Sequence, residues 1–124
     1  MILLLHTLIE ASVGLLLLFY PGAAELIPGF ADGQGESYVM LMKMYGLAAC
    51  FLAGLSLLAY LKKGNKEFVG LILGSLTVFH LGMTVIQAIY NSDSRAMLLH
   101  FLLLILLGGR FIRVRKGDWA ENAA

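Results

Sequence analysis

The hydrophobic pattern of this chain consists of four long apolar segments separated by short polar stretches. The segments cover residues 2–20, 38–61, 68–90 and 97–111. An α-helix of about 20 apolar residues crosses the hydrocarbon core of a bilayer. The fourth segment is the shortest, and we interpret it as a span because Arg95 and Arg110 bracket it. The pattern predicts an all-α protein, a bundle of four transmembrane helices in antiparallel up-down order.

Composition favours a membrane protein over a soluble domain. Of the 124 residues, 60% are hydrophobic and only 14% are charged, whereas about a quarter of the residues of a soluble domain are charged. The spans leave an outer loop at 21–37 and a basic tail at 112–124, so residues 1–124 form a single membrane domain with the lipid bilayer as its surroundings. The net charge of +1 gives no indication of nucleic-acid binding.

The basic residues are concentrated at one end of the predicted bundle. Two of them, Lys43 and Arg95, lie at the opposite end. The other seven are Lys62, Lys63, Lys66, Arg110, Arg113, Arg115 and Lys116. Under the positive-inside rule this end, which also holds both termini, is cytoplasmic. We therefore expect a bacterial inner (cytoplasmic) membrane protein.

The third span carries a row of small and polar residues on one helical face. The row, at steps of three and four, is Gly70, Gly74, Thr77, His80, Thr84, Gln87 and Asn91. Unsatisfied polar groups in hydrocarbon cost several kcal/mol each, so this face is expected to lie inside the protein. Gly70 and Gly74 are predicted packing positions, and His80, Thr84 and Gln87 are predicted ligand-binding residues.

The first span carries a similar row, formed by His6, Glu10 and Gly14. An ionisable residue deep in a span is a functional-site hypothesis by default. At the helical rise, Glu10 and His80 each lie roughly 15 Å from the outer end of their segments. We expect them to form the floor of a polar pocket that opens outward. A purely structural, hydrogen-bonded carboxyl is the alternative.

The second and fourth spans contribute fewer candidates. Gly46 and Gly54 predict a close packing seam between helices, since small residues allow membrane helices to approach. Lys43 either extends to the outer headgroups or points inward and tunes Glu10 electrostatically. His100 is level with Lys43, and both are placed near the pocket mouth as ligand-binding candidates. In the outer loop, Leu26, Ile27 and Phe30 form either a lid or a plain linker.

A resident cofactor is not identified from the sequence, and haem or metal is not expected. His6 and Glu10 have the spacing of two ligands on one helical face, with His80 as the required third ligand. On a depth argument, no two of the three histidines share a level in the membrane. The same groups offer an acid–base pair, Glu10 and His80, so an enzyme remains an open alternative.

A proton-coupled transporter is a second alternative. Four short spans with one glutamate midway along the first, Glu10, resemble the small multidrug resistance transporters. That family keeps a weak charge bias, whereas the basic residues here divide seven to two. The stretch TVFHLGMTVIQ also lacks the aromatic pattern of that family's third helix.

The layout resembles the DoxX-like small membrane proteins over most of the chain. Phe19-Tyr20-Pro21 ends the first span, and Tyr45-Gly46 opens a helix rich in small residues. A basic turn, a third helix with a polar row and a basic C-terminal end complete the pattern. The resemblance implies a four-helix membrane fold, in a superfamily with some members associated with quinone-linked oxidation. It carries no catalytic motif to a residue here.

The function expected from the sequence is therefore binding or assembly in the membrane. We expect a small lipophilic or redox-active ligand, quinone-like or lipid-like, in the pocket with Glu10 and His80. A role as accessory subunit of a larger membrane complex, or in a homo-oligomer, is the other expectation.

Overall fold

The computed structural model describes residues 1–30, 35–91 and 93–117. Within these ranges the chain forms helices and contains no strand. The helices are α1 (Ile2–Phe19), α2 (Ala23–Leu26), α3 (Glu36–Leu61), α4 (Lys66–Tyr90) and α5 (Ser94–Lys116). The four long helices are each long enough and apolar enough to cross a membrane. The predicted all-α class with four candidate spans is confirmed.

Three of the long helices, α3, α4 and α5, extend beyond their apolar segments, because hydrogen bonding and capping, rather than hydrophobicity, decide where a helix ends. The Asp93 side chain accepts a hydrogen bond from the Arg95 amide and caps the start of α5. At the other end α5 continues through the first basic residues of the predicted tail, to Gly117 with a φ of 88°. Glycine adopts this left-handed conformation without the steric cost of a side chain. Residues 118–124, which form the rest of the predicted tail, lie outside the described ranges.

The long helices associate mainly in two pairs. The extensive contacts join α1 with α3 and α4 with α5, whereas α3 with α4 and α1 with α5 make smaller contacts. The turn between α3 and α4 is short, and Asn65 caps α4 by accepting a hydrogen bond from the Phe68 amide. The protein is therefore built mainly from two helix pairs, α1 with α3 and α4 with α5.

Glycines bring α1 and α3 into backbone contact. A Cβ atom on Gly14 would lie 2.5 Å from the Cys50 sulfur and 2.8 Å from the Gly46 carbonyl oxygen. Gly46 is thus a packing residue, as expected, but Gly54 is not. Gly54 is exposed, and a Cβ atom there would meet no atom within 4 Å. The seam predicted from Gly46 to Gly54 is wrong at its second member, because α1 contacts a different face of α3.

The two predicted packing glycines of α4 face α5. A Cβ atom on Gly74 would lie 3.2 Å from the Phe111 ring, and one on Gly70 would lie 3.7 Å from Val114. Both positions border an apolar core, which we call the apolar half. Its buried members are Leu3, Ala59, Val69, Ile72, Leu73, Leu76, Leu103, Leu107 and Val114. The outward surfaces of the long helices are also largely apolar, for example at Phe51, Leu71 and Ile105.

Candidate functional site

Buried polar side chains meet where the two helix pairs face each other. We call this set the histidine network. Its members are His6 and Glu10 of α1, Tyr45 and Ser56 of α3, His80 of α4 and His100 of α5. His6 and His80 have no exposed surface, and Glu10 is 5% exposed. All four long helices therefore contribute to one polar site inside an otherwise apolar protein.

The three histidines form a continuous chain of contacts. His6 Nε2 lies 2.8 Å from His80 Nε2, and His80 Nδ1 lies 3.0 Å from His100 Nδ1. The chain is closed at one end by Ser56, whose Oγ is 2.6 Å from His6 Nδ1. At the other end the Tyr45 hydroxyl is 3.2 Å from His100 Nε2. Each imidazole uses both of its ring nitrogens.

The hydrogen-bond partners determine which nitrogen or oxygen carries the proton in each contact of the network. The Ser56 hydroxyl donates to the Leu52 carbonyl at 3.0 Å, so its oxygen accepts from His6 Nδ1. In a neutral imidazole the other nitrogen is then an acceptor. His6 Nε2 accordingly accepts from His80 Nε2, whose Nδ1 accepts from His100 Nδ1, while Tyr45 donates to His100 Nε2. The network is fully satisfied with all three histidines neutral.

Glu10 lies beside the contact between the first two histidines. Its Oε1 is 3.7 Å from His6 Nε2 and 3.8 Å from His80 Nε2, too long for hydrogen bonds. The ligand atoms of these three residues lie within 4.8 Å of one another, a spacing that a metal ion could bridge. The predicted proximity of Glu10 and His80 is thus observed, and His6 joins them.

A cavity of about 210 Å³ lies beside Glu10. Most of its lining is apolar, and four polar side chains face it from different helices: Glu10, Tyr45, Gln87 and His100. A smaller cavity of about 120 Å³ borders Glu10 on α1, Tyr45 on α3, and Met83 on α4. Glu10 therefore lines both cavities.

The loop after α1 covers the larger cavity. Leu26, Ile27, Pro28 and Phe30 all line it. The Phe30 ring packs edge-on against Tyr45 with ring centres 5.3 Å apart, and the Phe30 carbonyl accepts a hydrogen bond from the Tyr38 hydroxyl. Of the two readings of this loop, the structure therefore favours the lid over the plain linker.

The lid is braced by the turn between α4 and α5. The Gly29 amide donates to Asp93 Oδ2 at 3.2 Å, and the Arg95 guanidinium donates to both carboxylate oxygens of Asp93. The hydrogen bonds from the Arg95 side chain lower the pKa of Asp93 to about 2. Gly29 has a φ of 91°, which favours glycine at this contact. The brace joins the loop of one helix pair to the turn of the other.

The polar row of α4 faces inward, as predicted, since its seven members are buried or half-buried. Not all of them reach the cavity. The Thr84 hydroxyl donates to the His80 carbonyl at 2.7 Å within its own helix, the usual arrangement for threonine in an apolar setting. Gln87 lines the cavity and accepts a hydrogen bond from the Asn91 amide.

Lys43 is engaged elsewhere. Its ammonium group donates to the carbonyl oxygens of Leu17 and Leu18 at 3.0 and 2.6 Å. These carbonyls belong to the last turn of α1, where no helical amide follows to pair with them. Lys43 therefore caps α1, which neither of the two predicted roles included.

The depth argument against a metal site is wrong in its inference that histidines at different levels do not meet. The sequence separates the three histidines by level, but the structure places His80 in contact with both His6 and His100. An imidazole reaches several ångströms from its backbone along the helix axis, so residues on different turns of different helices can meet. His100 consequently lies in the network as well as on the cavity wall.

Tyr45 and Ser56 belong to the histidine network, a role that their sequence pattern does not predict. They are about three helical turns apart and so share one face of α3. Ala49 and Ala53, which lie between them, are also buried. A polar pair on a small-residue face was the available signal, but it does not specify a partner.

Comparison with protein-family models, with curated proteins and with solved structures finds no match to this chain. The site must therefore be interpreted from its own geometry and chemistry.

Proposed function

We propose that this chain is an integral membrane protein that binds the polar head of a small lipophilic molecule beside Glu10 and His100. The ligand class is quinone-like or lipid-like. The cavity of about 210 Å³ is smaller than the ~300–1,000 Å³ usual for whole drug-sized ligands. It suits a head group, while an apolar tail leaves between the helices toward the bilayer.

The proposed orientation is an antiparallel up-down bundle with both termini cytoplasmic. Contacts between α1 and α3 support it, because Gly14, Thr7 and His6 meet partners at progressively higher positions along α3: Gly46, Ala53 and Ser56. The charge asymmetry supports the side, since seven of the nine basic residues lie at one end. The cavity then opens toward the periplasmic side of a bacterial inner membrane, and the layout agrees with a DoxX-like relationship.

The observation that carries the proposal is the chemistry of the cavity wall. Binding sites for small molecules are concave and mostly apolar, with a few convergent polar groups that orient the ligand. Here Gln87 and His100 face the cavity from α4 and α5, and Glu10 and Tyr45 face it from α1 and α3. The Gln87 carbonyl accepts from Asn91, so its amide NH2 is the donor for a ligand carbonyl oxygen. The apolar lining excludes strongly charged molecules.

The test is native mass spectrometry of the protein extracted gently from its own membrane. The cavity variant is Leu99→Trp, since Leu99 lines the cavity. The matched control is Leu98→Trp on the exposed side of the same helix. We expect a small-molecule mass on the wild type and the control that is lost from the cavity variant.

Three results would contradict the proposal. One is a wild-type protein that retains no small molecule after gentle extraction from its own membrane. Another is a retained molecule that survives in a folded Leu99→Trp protein. The third is release together with larger subunits and no small molecule, which would favour the accessory-subunit role instead.

A further inference from the structure

We propose that His6, Glu10 and His80 bind one divalent first-row transition-metal ion, of the group Fe²⁺, Co²⁺ and Zn²⁺. Two imidazoles and one carboxylate suit these ions, whereas Mg²⁺ and Ca²⁺ prefer sites made of oxygen ligands. The metal site shares Glu10 with the ligand pocket, but its two imidazole ligands, His6 and His80, do not line that cavity. Either one can be correct without the other.

The distances between the three ligand atoms are close to those of a metal site. Bonds of ~2.1 Å place two ligands ~3.0 Å apart at a right angle and ~3.4 Å apart at the tetrahedral angle. The two Nε2 atoms are 2.8 Å apart, and the Glu10 oxygen is 3.7 and 3.8 Å from them. A small rotation of the Glu10 side chain would bring both of its distances into range.

Charge provides the second argument. The neutral histidine network accounts for the contacts among the imidazoles, but not for a buried carboxyl group directed at the same two nitrogens. A carboxylate inside a span is costly unless a positive charge or several donors compensate it. A divalent cation between Glu10, His6 and His80 supplies that charge within reach of all three groups.

Ser56 prepares His6 as a ligand. A metal-bound imidazole normally donates its other N–H to an oxygen, which sets the tautomer and the ring orientation. His6 Nδ1 donates to Ser56 Oγ at 2.6 Å, and Ser56 is itself held by the Leu52 carbonyl. His6 Nε2 therefore carries a lone pair, which accepts from His80 Nε2 in the metal-free network and is available to a metal ion that replaces that proton.

His100 and Tyr45 provide the same support for His80 by a shift of protons within the network. Without metal, the proton between the two Nε2 atoms belongs to His80. When a metal takes its place, His80 carries its proton on Nδ1 and donates to His100 Nδ1. His100 then carries its proton on Nε2 and donates to the Tyr45 oxygen. His80, His100 and Tyr45 together carry the same number of protons before and after this shift, so both histidines remain neutral.

Three protein ligands leave coordination positions open. Catalytic zinc sites and non-haem iron sites of the two-histidine, one-carboxylate type share this feature. Here Glu10 borders both cavities, so the open positions face space for water or for a bound molecule. The arrangement differs from a closed structural site with four protein ligands.

The first experiment uses the wild-type protein. It is purified without chelator for elemental analysis, then stripped with chelator and titrated with Co²⁺. We expect about one equivalent per chain and visible absorption of Co²⁺ with nitrogen ligands. X-ray absorption of the Co²⁺ form should show two imidazole ligands. Absence of Co²⁺ binding, or a bound Co²⁺ without imidazole ligands, would overturn the proposal whether or not any variant folds.

Variants then locate the ion. We expect His6→Ala, Glu10→Gln and His80→Ala each to weaken Co²⁺ binding by well over tenfold, and Ser56→Ala to weaken it by about 10–100-fold through ligand orientation. The matched control is Glu67→Gln on the exposed part of α4, with unchanged affinity. Wild-type Co²⁺ affinity in folded Glu10→Gln and His80→Ala would overturn the assignment. We expect Leu99→Trp, which changes the cavity wall, to leave the Co²⁺ affinity unchanged. This variant therefore distinguishes the metal site from the ligand pocket.

Discussion

The interior of this protein has two halves that differ in what they demand of the sequence. In the apolar half, Leu73, Leu103 and Leu107 are almost completely buried among other apolar side chains. In the histidine network, each imidazole has a named partner for both of its ring nitrogens, such as Ser56 on α3 for His6 on α1. One half is defined by shape alone, and the other by donors, acceptors and direction.

This difference matters because of the surroundings. Lipid tails are as apolar as leucine, so the apolar half gains packing contacts but little hydrophobic driving force from helix association. The outward surfaces are equally apolar, so hydrophobicity does not tell a helix which face to turn inward. The cost of leaving polar groups unpaired in hydrocarbon does determine which face turns inward. We infer that the histidine network sets the register of the four long helices, while the apolar half accommodates it.

The largest expected effect comes from preventing the approach that the network requires. In Gly14→Leu, the new side chain meets the backbone of α3, where even a Cβ atom would be 2.9 Å from the Cys50 nitrogen. We expect the unfolding free energy to fall by about 3 kcal/mol or more, at the upper end of overpacking costs. Reversible unfolding in mixed micelles measures it.

The control for this prediction is Gly54→Leu on the same helix pair. A Cβ atom at Gly54 meets no atom within 4 Å, so the stability should change by no more than about 0.5 kcal/mol, as for other surface substitutions. Equal losses in the two variants would show that α1 and α3 do not approach at Gly14.

The second prediction compares the two halves directly with substitutions of similar size. His80→Phe keeps a ring but leaves His6 Nε2 and His100 Nδ1 without their partner. At about 1–3 kcal/mol for each buried group left unpaired, we expect a loss of roughly 2 kcal/mol or more. Leu73→Met in the apolar half should cost less than about 1.5 kcal/mol, since the volume is conserved.

Both variants are measured by the same micelle unfolding assay. A double variant, His6→Phe with His80→Phe, sharpens the result, because the two residues share one contact. We expect it to cost about 0.5–3 kcal/mol less than the sum of the single changes. Additive losses, or a larger loss for Leu73→Met than for His80→Phe, would reverse the comparison.

The smallest expected effect concerns the brace formed by Gly29, Asp93 and Arg95. Asp93 has a pKa of about 2 against an ordinary value of 3.8. A lowered carboxyl pKa stabilises the folded brace above pH 3.8, and this contribution is lost as the pH falls through about 2. The Gly29 amide reports it, since it donates to Asp93. Its NMR shift should titrate with a midpoint near pH 2, while amides of the apolar half stay constant.

Asp93→Asn provides the control, since the amide side chain does not titrate and the Gly29 signal should lose its acid transition. A midpoint at the ordinary value of 3.8 in the wild type would mean that Arg95 does not hold Asp93 in solution. The lid would then be attached to α4 and α5 more loosely than the structure indicates.

Several features of the site follow from the sequence because they are properties of single helices. The α4 row from Gly70 to Asn91 faces inward, since helical periodicity assigns residues to faces and polar groups avoid lipid. The proximity of Glu10 and His80 also follows, because each lies about the same number of residues from the outer end of its own apolar segment. Four long apolar helices are required by length and hydropathy alone.

What the tertiary structure decided is which faces and side chains meet. Local periodicity does not reveal that α1 approaches α3 at Gly46 rather than Gly54, or that Lys43 caps α1. It also does not bring His6, His80 and His100 together, since they lie on three helices and meet through the reach of their imidazoles. The physical reason is that a helix determines its own periodicity, whereas partners across an interface depend on the packing of all four long helices.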